Sequence, residues 1–307
     1  MKFLVTGGCG FIGSHLVQAL KGKGDVFVLD NLSTGKKENI LWDDKTHFIF
    51  ADVVDEEKLR QLFDQHRFDY VYHLAAIASV VLCQEKPAKS DLVNYHSLLL
   101  IIEMALKYKT KKIIFSSSAA VYGETLTIPT TEETITKPLS YYGVSKLSAE
   151  NALKVAYKTQ GLKFTAFRFF NVYGPRQDPA SPYSGVLSLF IKAVKEEREP
   201  RLTLFGDGKQ TRDFIYVQDV VNALIASLET SRDGMLINLG TGKGVSLLEI
   251  IAILEKLTGK KIEIEFKSPR VGDIRHSCAE ITQLTKWKLK TPKTIAQGLE
   301  DYFHSLL

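Results

Sequence analysis

Tyr142 and Lys146 stand four residues apart in the segment Tyr142-Gly-Val-Ser-Lys146. Four residues make about one helical turn, so on a helix the phenol and the ammonium share a face. A tyrosine ionises near ~10 and is a poor base at neutral pH. Bringing it to about 7 requires roughly 4 kcal/mol. One cation ~4 Å away, at an effective dielectric of ~20, supplies an energy of that order. Lys146, helped by a second cation, is therefore expected to favour the phenolate. An isolated pair at this spacing is more often a helix start with one buried aromatic and one surface lysine, so the rest of the chain must decide.

The N-terminus supplies the context. An apolar run at 2–6 leads into Thr6-Gly7-Gly8-Cys9-Gly10-Phe11-Ile12-Gly13, and a helical pattern follows at once. Gly7, Gly10 and Gly13 allow a tight turn, close approach of backbone to a pyrophosphate, and close packing of helix on sheet. The pyrophosphate of a dinucleotide would meet the unpaired amides at the helix start, those of Phe11 and Ile12 among them. Asp30 closes the next strand, with Asn31 beside it, and is placed to accept from the adenosine ribose 2′-OH. A 2′-phosphate would be repelled there, so NAD is favoured over NADP; Lys36 and Lys37 are the pair that could hold a phosphate instead. Asp52 and Val53, after the third strand, reach toward the adenine, and Asp52 is equally suited to cap the helix after it. Leu74, Ala75 and Ala76, after the fourth strand, offer small side chains where backbone must approach the cofactor. His15, His73 and His96 lack metal-ligand spacing and read as surface or satisfied interior histidines; no metal is expected.

The elements needed to hold these residues follow in order. Apolar, β-rich runs at 2–6, 25–30, 48–51, 70–74, 112–116 and 164–169 alternate with helical patterns at 11–21, 56–65, 91–108 and 142–159. That alternation predicts an α/β fold with a Rossmann-type, doubly wound parallel sheet covered by helices on both faces. After Gly174-Pro175 the pattern changes. A loop at 178–185 precedes a helix at 186–198. The runs 202–205 and 212–217, joined through Gly206-Asp207-Gly208, read as a hairpin-like pair. A helix at 220–229, a strand at 236–239 and a helix at 247–258 complete the reading. Residues 1–170 are expected to form a nucleotide-binding domain, with 213–240 returning to it, and 171–307 mainly a smaller α/β substrate-binding domain.

The 307 residues, 45% apolar, allow about two domains with real cores. A net charge of +5 with dispersed Lys and Arg gives no case for nucleic acid. Cys9, Cys83 and Cys278 are odd in number and suit a reducing compartment. The longest apolar stretch, 71–83, is too short to span a bilayer, and the apolar start is broken by glycines before it could serve as a signal peptide. A cytoplasmic protein with no membrane partner is expected.

Several separated motifs carry a resemblance. The glycine loop and Asp30 are followed by His73-Leu74-Ala75-Ala76, then by Phe115-Ser116-Ser117-Ser118-Ala119-Ala120-Val121-Tyr122-Gly123. Next come Tyr142 to Lys146, Arg168-Phe169-Phe170-Asn171-Val172-Tyr173-Gly174-Pro175 and Gln210-Thr211-Arg212-Asp213. Asn238-Leu239-Gly240-Thr241-Gly242 and Arg270-Val271-Gly272-Asp273 close the series. In this order, over essentially the whole chain, they resemble the extended short-chain dehydrogenase/reductase family, and within it the UDP-glucose/UDP-galactose 4-epimerases. The resemblance implies NAD as cofactor and a UDP-sugar as substrate. It implies that Ser118 hydrogen-bonds the reacting hydroxyl, that Tyr142 is the general base, and that Lys146 holds the nicotinamide ribose and lowers the tyrosine pKa. Asn171 would bind the sugar nucleotide, Arg212 and Arg270 would clamp its diphosphate, Asp273 belongs to the same motif, and Phe205 would contact the uracil. Asn94 matches a cofactor-side asparagine, although relatives usually show a Gly-Thr pair where this chain has His96-Ser97. A homodimer built on the helices around 91–108 and 142–159 is also implied.

Two alanines choose among the chemistries of that family. Dehydratases carry an Asp-Glu pair directly after the catalytic residue, and UDP-glucuronate decarboxylases a Glu at the second position. Here Ala119 and Ala120 cannot transfer a proton. The expectation is a redox-neutral 4-epimerase acting on UDP-glucose and UDP-galactose through a transient 4-keto sugar. Ser277 aligns with a pocket-wall position where a bulky tyrosine excludes N-acetylated sugars, so UDP-N-acetylglucosamine and UDP-N-acetylgalactosamine are expected to enter too. The alternatives are a decarboxylase or other NAD-dependent nucleotide-sugar oxidoreductase, and a non-catalytic dinucleotide-binding regulator.

Overall fold

Six short runs rich in Val, Ile, Leu and Phe form β1 (Lys2–Thr6), β2 (Asp25–Asp30), β3 (Thr46–Phe50), β4 (Tyr70–His73), β5 (Lys112–Ser118) and β6 (Phe164–Phe169). Every pairing among them is parallel. Both faces are covered, so β1, β2, β4, β5 and β6 bury nearly every side chain instead of alternating, whereas the edge strand β3 buries Thr46 alone. In this computed structural model, residues 1–125, 127–178, 185–229, 232–269, 274–287 and 289–306 are described. The sheet order is β3-β2-β1-β4-β5-β6, with the strand Met235–Leu239 beyond β6. The order reverses between β1 and β4, and a doubly wound sheet offers its ligand crevice at such a point, outside the carboxyl ends of the strands.

The helices that cover this sheet are α1 (Phe11–Leu20), α2 (Glu56–His66), α3 (Val80–Glu85), α4 (Pro87–Asp91), α5 (Ser97–Lys107) and α6 (Tyr141–Gln160). Phe63, Leu98, Ile101, Phe115 and Leu153 meet in one core beneath them. Truncating such a side chain to Ala costs about 2–5 kcal/mol. The single helix expected at 91–108 is instead interrupted by a π turn, Leu92–His96, between α4 and α5. Helix α6 starts where Ser140 Oγ accepts the Gly143 amide at 3.1 Å, and stops at Gly161, whose φ of +72° suits a residue without a Cβ. This first unit comprises Met1–Gly123, Ile135–Phe169 and Val221–Ile237.

The second unit, Glu124–Thr134, Phe170–Val220 and Asn238–Leu307, is built on smaller sheets. Its strands are β7 (Asn171–Tyr173), β8 (Arg201–Phe205) and β9 (Thr211–Tyr216), then, after β10 (Met235–Leu239), β11 (Gly244–Ser246) and β12 (Glu263–Lys267). The helices α7 (Val186–Glu196), α8 (Val217–Ala226), α9 (Leu247–Thr258), α10 (Thr282–Thr285) and α11 (Ile295–His304) complete the chain. The expected hairpin between β8 and β9 does not form. Strand β9 has β7 on one edge and β11 on the other, so no edge is left for β8. Strand β8 pairs in parallel with β12 instead, and Leu202 and Leu204 turn inward onto Ile250, Leu254 and Ile262.

Candidate active site

The glycine loop is shaped by contacts that exclude side chains. Gly7 has φ +68°, and a Cβ there would lie 2.8 Å from the Ala75 amide nitrogen, in the loop that follows β4. A Cβ at Gly13 would lie 2.1 Å from the Gly7 carbonyl oxygen. Gly10 precedes α1 and offers no side-chain cap. The first amides of α1, those of Phe11, Ile12 and Gly13, therefore face outward at the positive end of the helix. At the end of β2 the buried Asp30 carboxylate accepts from the Cys9 amide at 2.9 Å and the Leu32 amide at 2.8 Å. Burial pushes its pKa up, and those two amides pull it back. Asn31 donates to Asp52 at 2.9 Å, and Asp52 also accepts from the Val54 amide at 3.2 Å. Asp52 does not cap α2; Asp55 does, accepting from the Lys58 amide at 2.9 Å, because only Asp55 directly precedes the helix. Val53 is buried. Lys37 lies over the Phe48 ring, 4.2 Å from its centroid. Uncapped amides, a cradle that Cβ atoms would fill and an acidic strand end fit a dinucleotide.

Ser118, Tyr142 and Lys146 come together in the same unit. Ser118 ends β5 in extended backbone and accepts the Ala120 amide at 3.1 Å. Lys146 is enclosed: its Nζ donates to the Ser116 carbonyl at 2.7 Å and lies 4.7 Å from the Phe115 ring centroid and 5.8 Å from that of Tyr142. The expectation of a lowered tyrosine pKa needs correction. Burial raises Tyr142 to about 12, only partly offset by hydrogen bonding to the Ser118 side chain. The Lys146 ammonium lies 5.8 Å from the Tyr142 ring centroid, and desolvation of the phenol dominates. Lys146 itself is driven down to about 7 by burial, with the Cys83 thiol and Glu150 working the other way. The arrangement is a half-buried phenol and hydroxyl beside a fully buried, marginal ammonium, which suits proton transfer from a neutral alcohol.

Two further groups border this cluster. Asn94, in the π turn, is fully buried; its Oδ1 accepts the Ile77 amide at 2.7 Å and its Nδ2 donates to the Ile77 carbonyl at 3.0 Å. It thus clamps the stretch after Leu74, Ala75 and Ala76, all half-buried. His73 lies buried between the Thr6 and Ser97 hydroxyls, a satisfied interior histidine.

The expected substrate residues lie in the second unit. Asn171 is exposed at the start of β7. Phe205 lines a cavity of about 660 Å³ together with Gln210, Phe266, Lys267 and Ile274. Arg212 is half-buried and donates to the Thr211 carbonyl at 3.0 Å. The Ser277 amide donates to that same carbonyl at 3.1 Å, leaving its side chain half-buried. Arg270 and Asp273 fall outside the described residues. Arg275, not among the residues expected from the sequence, also lines the cavity and grips Asp207 through two bonds of 2.7 Å. The Gly206-Asp207-Gly208 turn was its one visible signal. Among the described residues no cluster of His, Cys, Asp and Glu suits a metal, and no helix is long and apolar enough to cross a membrane.

Residues 3–240 match the model of the NAD dependent epimerase/dehydratase family. The chain belongs to this family. It is 35% identical to a UDP-glucose 4-epimerase of Mycolicibacterium smegmatis over 92% of its length and 91% of the relative's. The UDP-glucose 4-epimerase of Thermotoga maritima, solved with UDP-glucose, superposes with a TM-score of 0.93 at 38% identity, covering 100% of this chain and 98% of that one. The UDP-N-acetylglucosamine 4-epimerase of Methanobrevibacter ruminantium, in complex with UDP-N-acetylmuramic acid, gives 0.92 at 38% identity over 99% and 97%. Membership of the NAD dependent epimerase/dehydratase family makes the protein an NAD-using enzyme. It also leaves two outcomes, epimerisation and elimination, for the residues to separate.

Proposed function

We propose that the protein is a UDP-hexose 4-epimerase, interconverting UDP-glucose with UDP-galactose and UDP-N-acetylglucosamine with UDP-N-acetylgalactosamine. The observation that carries this reading is Ala119-Ala120, the short turn directly after Ser118. Elimination needs an acid there, and the one carboxylate on α6, that of Glu150, is locked to Arg168 at 2.7 Å. Without an acid, the route open to a 4-keto hexose is reduction at C4.

NAD, when bound, supplies a hydride acceptor and a positive ring that favours the phenolate. Tyr142 takes the proton of the sugar 4-hydroxyl, Ser118 hydrogen-bonds that hydroxyl and relays the proton, and Lys146 holds the nicotinamide ribose. Phe11, Ile12 and the glycines cradle the pyrophosphate, Asp30 takes the adenosine ribose, and Asp52 and Val53 the adenine side. In the second unit Arg212 neutralises the substrate diphosphate, Phe205 packs against the base, and Asn171 binds the sugar nucleotide. Ser277, small and half-buried, leaves room for an N-acetyl group. The exposed apolar side chains Leu92, Val144 and Val155 on the helices around 91–108 and 142–159 support a homodimer. Three buried free cysteines support a cytoplasmic setting.

The test is direct. The pure protein is incubated with each of the four UDP-hexoses, and products are resolved by chromatography. Each sugar should yield its 4-epimer with no net NADH. Accumulating NADH, released carbon dioxide from UDP-glucuronate, or no epimer from any of the four defeats the proposal.

A further inference from the structure

Four buried polar side chains behind the proton-transfer residues take no part in the chemistry above. Arg168, on β6, forks onto Glu150, on α6, with Nε–Oε1 at 2.9 Å and Nη2–Oε2 at 2.7 Å. Ser117, on β5, donates to the same carboxylate at 2.6 Å, and Arg168 Nη1 donates to the Tyr122 hydroxyl at 2.9 Å. Glu150 is 0% and Arg168 2% exposed. A fully desolvated ion pair is a weak source of stability, since apolar groups of equal volume often serve as well. Its position is the informative part. Glu150 follows Lys146 by one helical turn, on the face that carries Tyr142, and Ser117 immediately precedes Ser118.

We propose that Glu150 is a positioning residue: through Ser117 and Arg168 it fixes the end of β5 against α6, so that Ser118 meets Tyr142, and it supplies the negative charge that keeps Lys146 an ammonium. The inference rests on the proton-transfer roles given above to Ser118, Tyr142 and Lys146. The groups facing Lys146 are few. On its own helix they are Tyr142 and Glu150; from β5, the Ser116 carbonyl and the Phe115 ring; from β4, His73; from α3, Cys83. His73 is neutral in its buried place and the Cys83 thiol is held up by burial, so Glu150 is the carboxylate among them. Arg168 orients that carboxylate, and the fork leaves it one arrangement.

The experiment titrates Lys146 itself in the full chain, with no sugar present. The protein is labelled with ¹³C-lysine, and the Lys146 Cε signal is assigned by its loss in Lys146→Met. Its midpoint is followed in the native sequence, in Glu150→Gln, and in the paired variant Glu150→Leu/Arg168→Met, which removes both charges so that a folded protein is available even if the single change does not fold. The midpoint should fall by about two pH units in Glu150→Gln, the effect of losing a charge roughly one turn away at an effective dielectric of ~20, and by less in the paired variant, where the opposing Arg168 charge is lost as well. In turnover, kcat should fall at least about tenfold with KM held, the signature of a displaced proton carrier. An unchanged Lys146 midpoint in a folded variant overturns the proposal, whatever sugar the enzyme uses. A shifted midpoint with no turnover of any UDP-hexose by the native protein would instead indict the function and leave the charge assignment standing.

Discussion

His73 makes the protein acid-sensitive in a way that can be worked out in advance. Its Nδ1 lies 2.9 Å from the Thr6 hydroxyl and its Nε2 3.1 Å from that of Ser97, with the ring 5.9 Å from that of Phe115. Burial, with the Lys146 ammonium second, drives its pKa from 6.5 down to about 3. The unfolded chain binds a proton that the folded imidazole refuses, so this contribution to stability is intact above pH 6.5 and drains as pH falls toward 3. The drop from 6.5 to about 3 sets a ceiling of about 5 kcal/mol, at ~1.36 kcal/mol per pH unit. Between about pH 7 and pH 4.5 the share lost is about 2.5 kcal/mol. Carboxylates also titrate in that window, so the comparison is with His73→Gln, which keeps a donor and an acceptor but cannot take up a proton. Urea unfolding of both proteins at the two pH values should show the native sequence losing about 2.5 kcal/mol more than the variant. Parallel losses would refute the reasoning, because His73 would then not be held neutral by its surroundings.

Three other outcomes are expected. Tyr142→Phe should lower kcat by about 10²–10⁴ while substrate affinity, read by calorimetry, stays near native; turnover close to native would remove Tyr142 from the chemistry. Gly13→Ala places a Cβ 2.1 Å from the Gly7 carbonyl, so thermal scans should show a loss of about 1–3 kcal/mol and a smaller stabilisation by added NAD. Ser277→Tyr should depress turnover of the two N-acetylated UDP-sugars far more than that of the plain hexoses; equal effects would mean that Ser277 does not border the sugar.

How much of this could be read from the chain depends on whether the signal was local. The glycine loop is largely local: strand, turn and helix are contiguous, and Gly10 and Gly13 answer the Gly7 carbonyl within it, while Gly7 also meets Ala75 in the loop after β4. The same holds for α6, where the Ser140 cap, the Tyr142–Lys146 face and Gly161 all lie within one segment. Strand β9 was legible as a strand but not by its partners, because pairing is decided by which edges are occupied, and β7 and β11 reach it from distant parts of the sequence. The π turn around Asn94 escaped because helical periodicity continues through it; the Asn94 side chain bonds to Ile77 and Cys83, neither of which the periodicity reveals. Asp52 and Asp55 are equally good caps by type, and three residues of backbone geometry separate them. Least legible was the Glu150–Arg168 pair, since a charged residue on a helix ordinarily reads as solvated, and its enclosure follows from the packing of α6 on β5 and β6. The tyrosine pKa went the other way from the sequence argument for the same reason: spacing reveals the neighbouring charge, but burial depends on the whole fold.

The central claim is that hydride leaves the sugar C4 and returns to the same carbon. UDP-galactose and UDP-N-acetylgalactosamine carrying deuterium at C4 are each converted in ordinary water, and the 4-epimer is analysed by mass spectrometry. Deuterium should stay in the product through complete interconversion of whichever sugar is turned over. Deuterium lost to water, or no epimer from either sugar, would contradict the account.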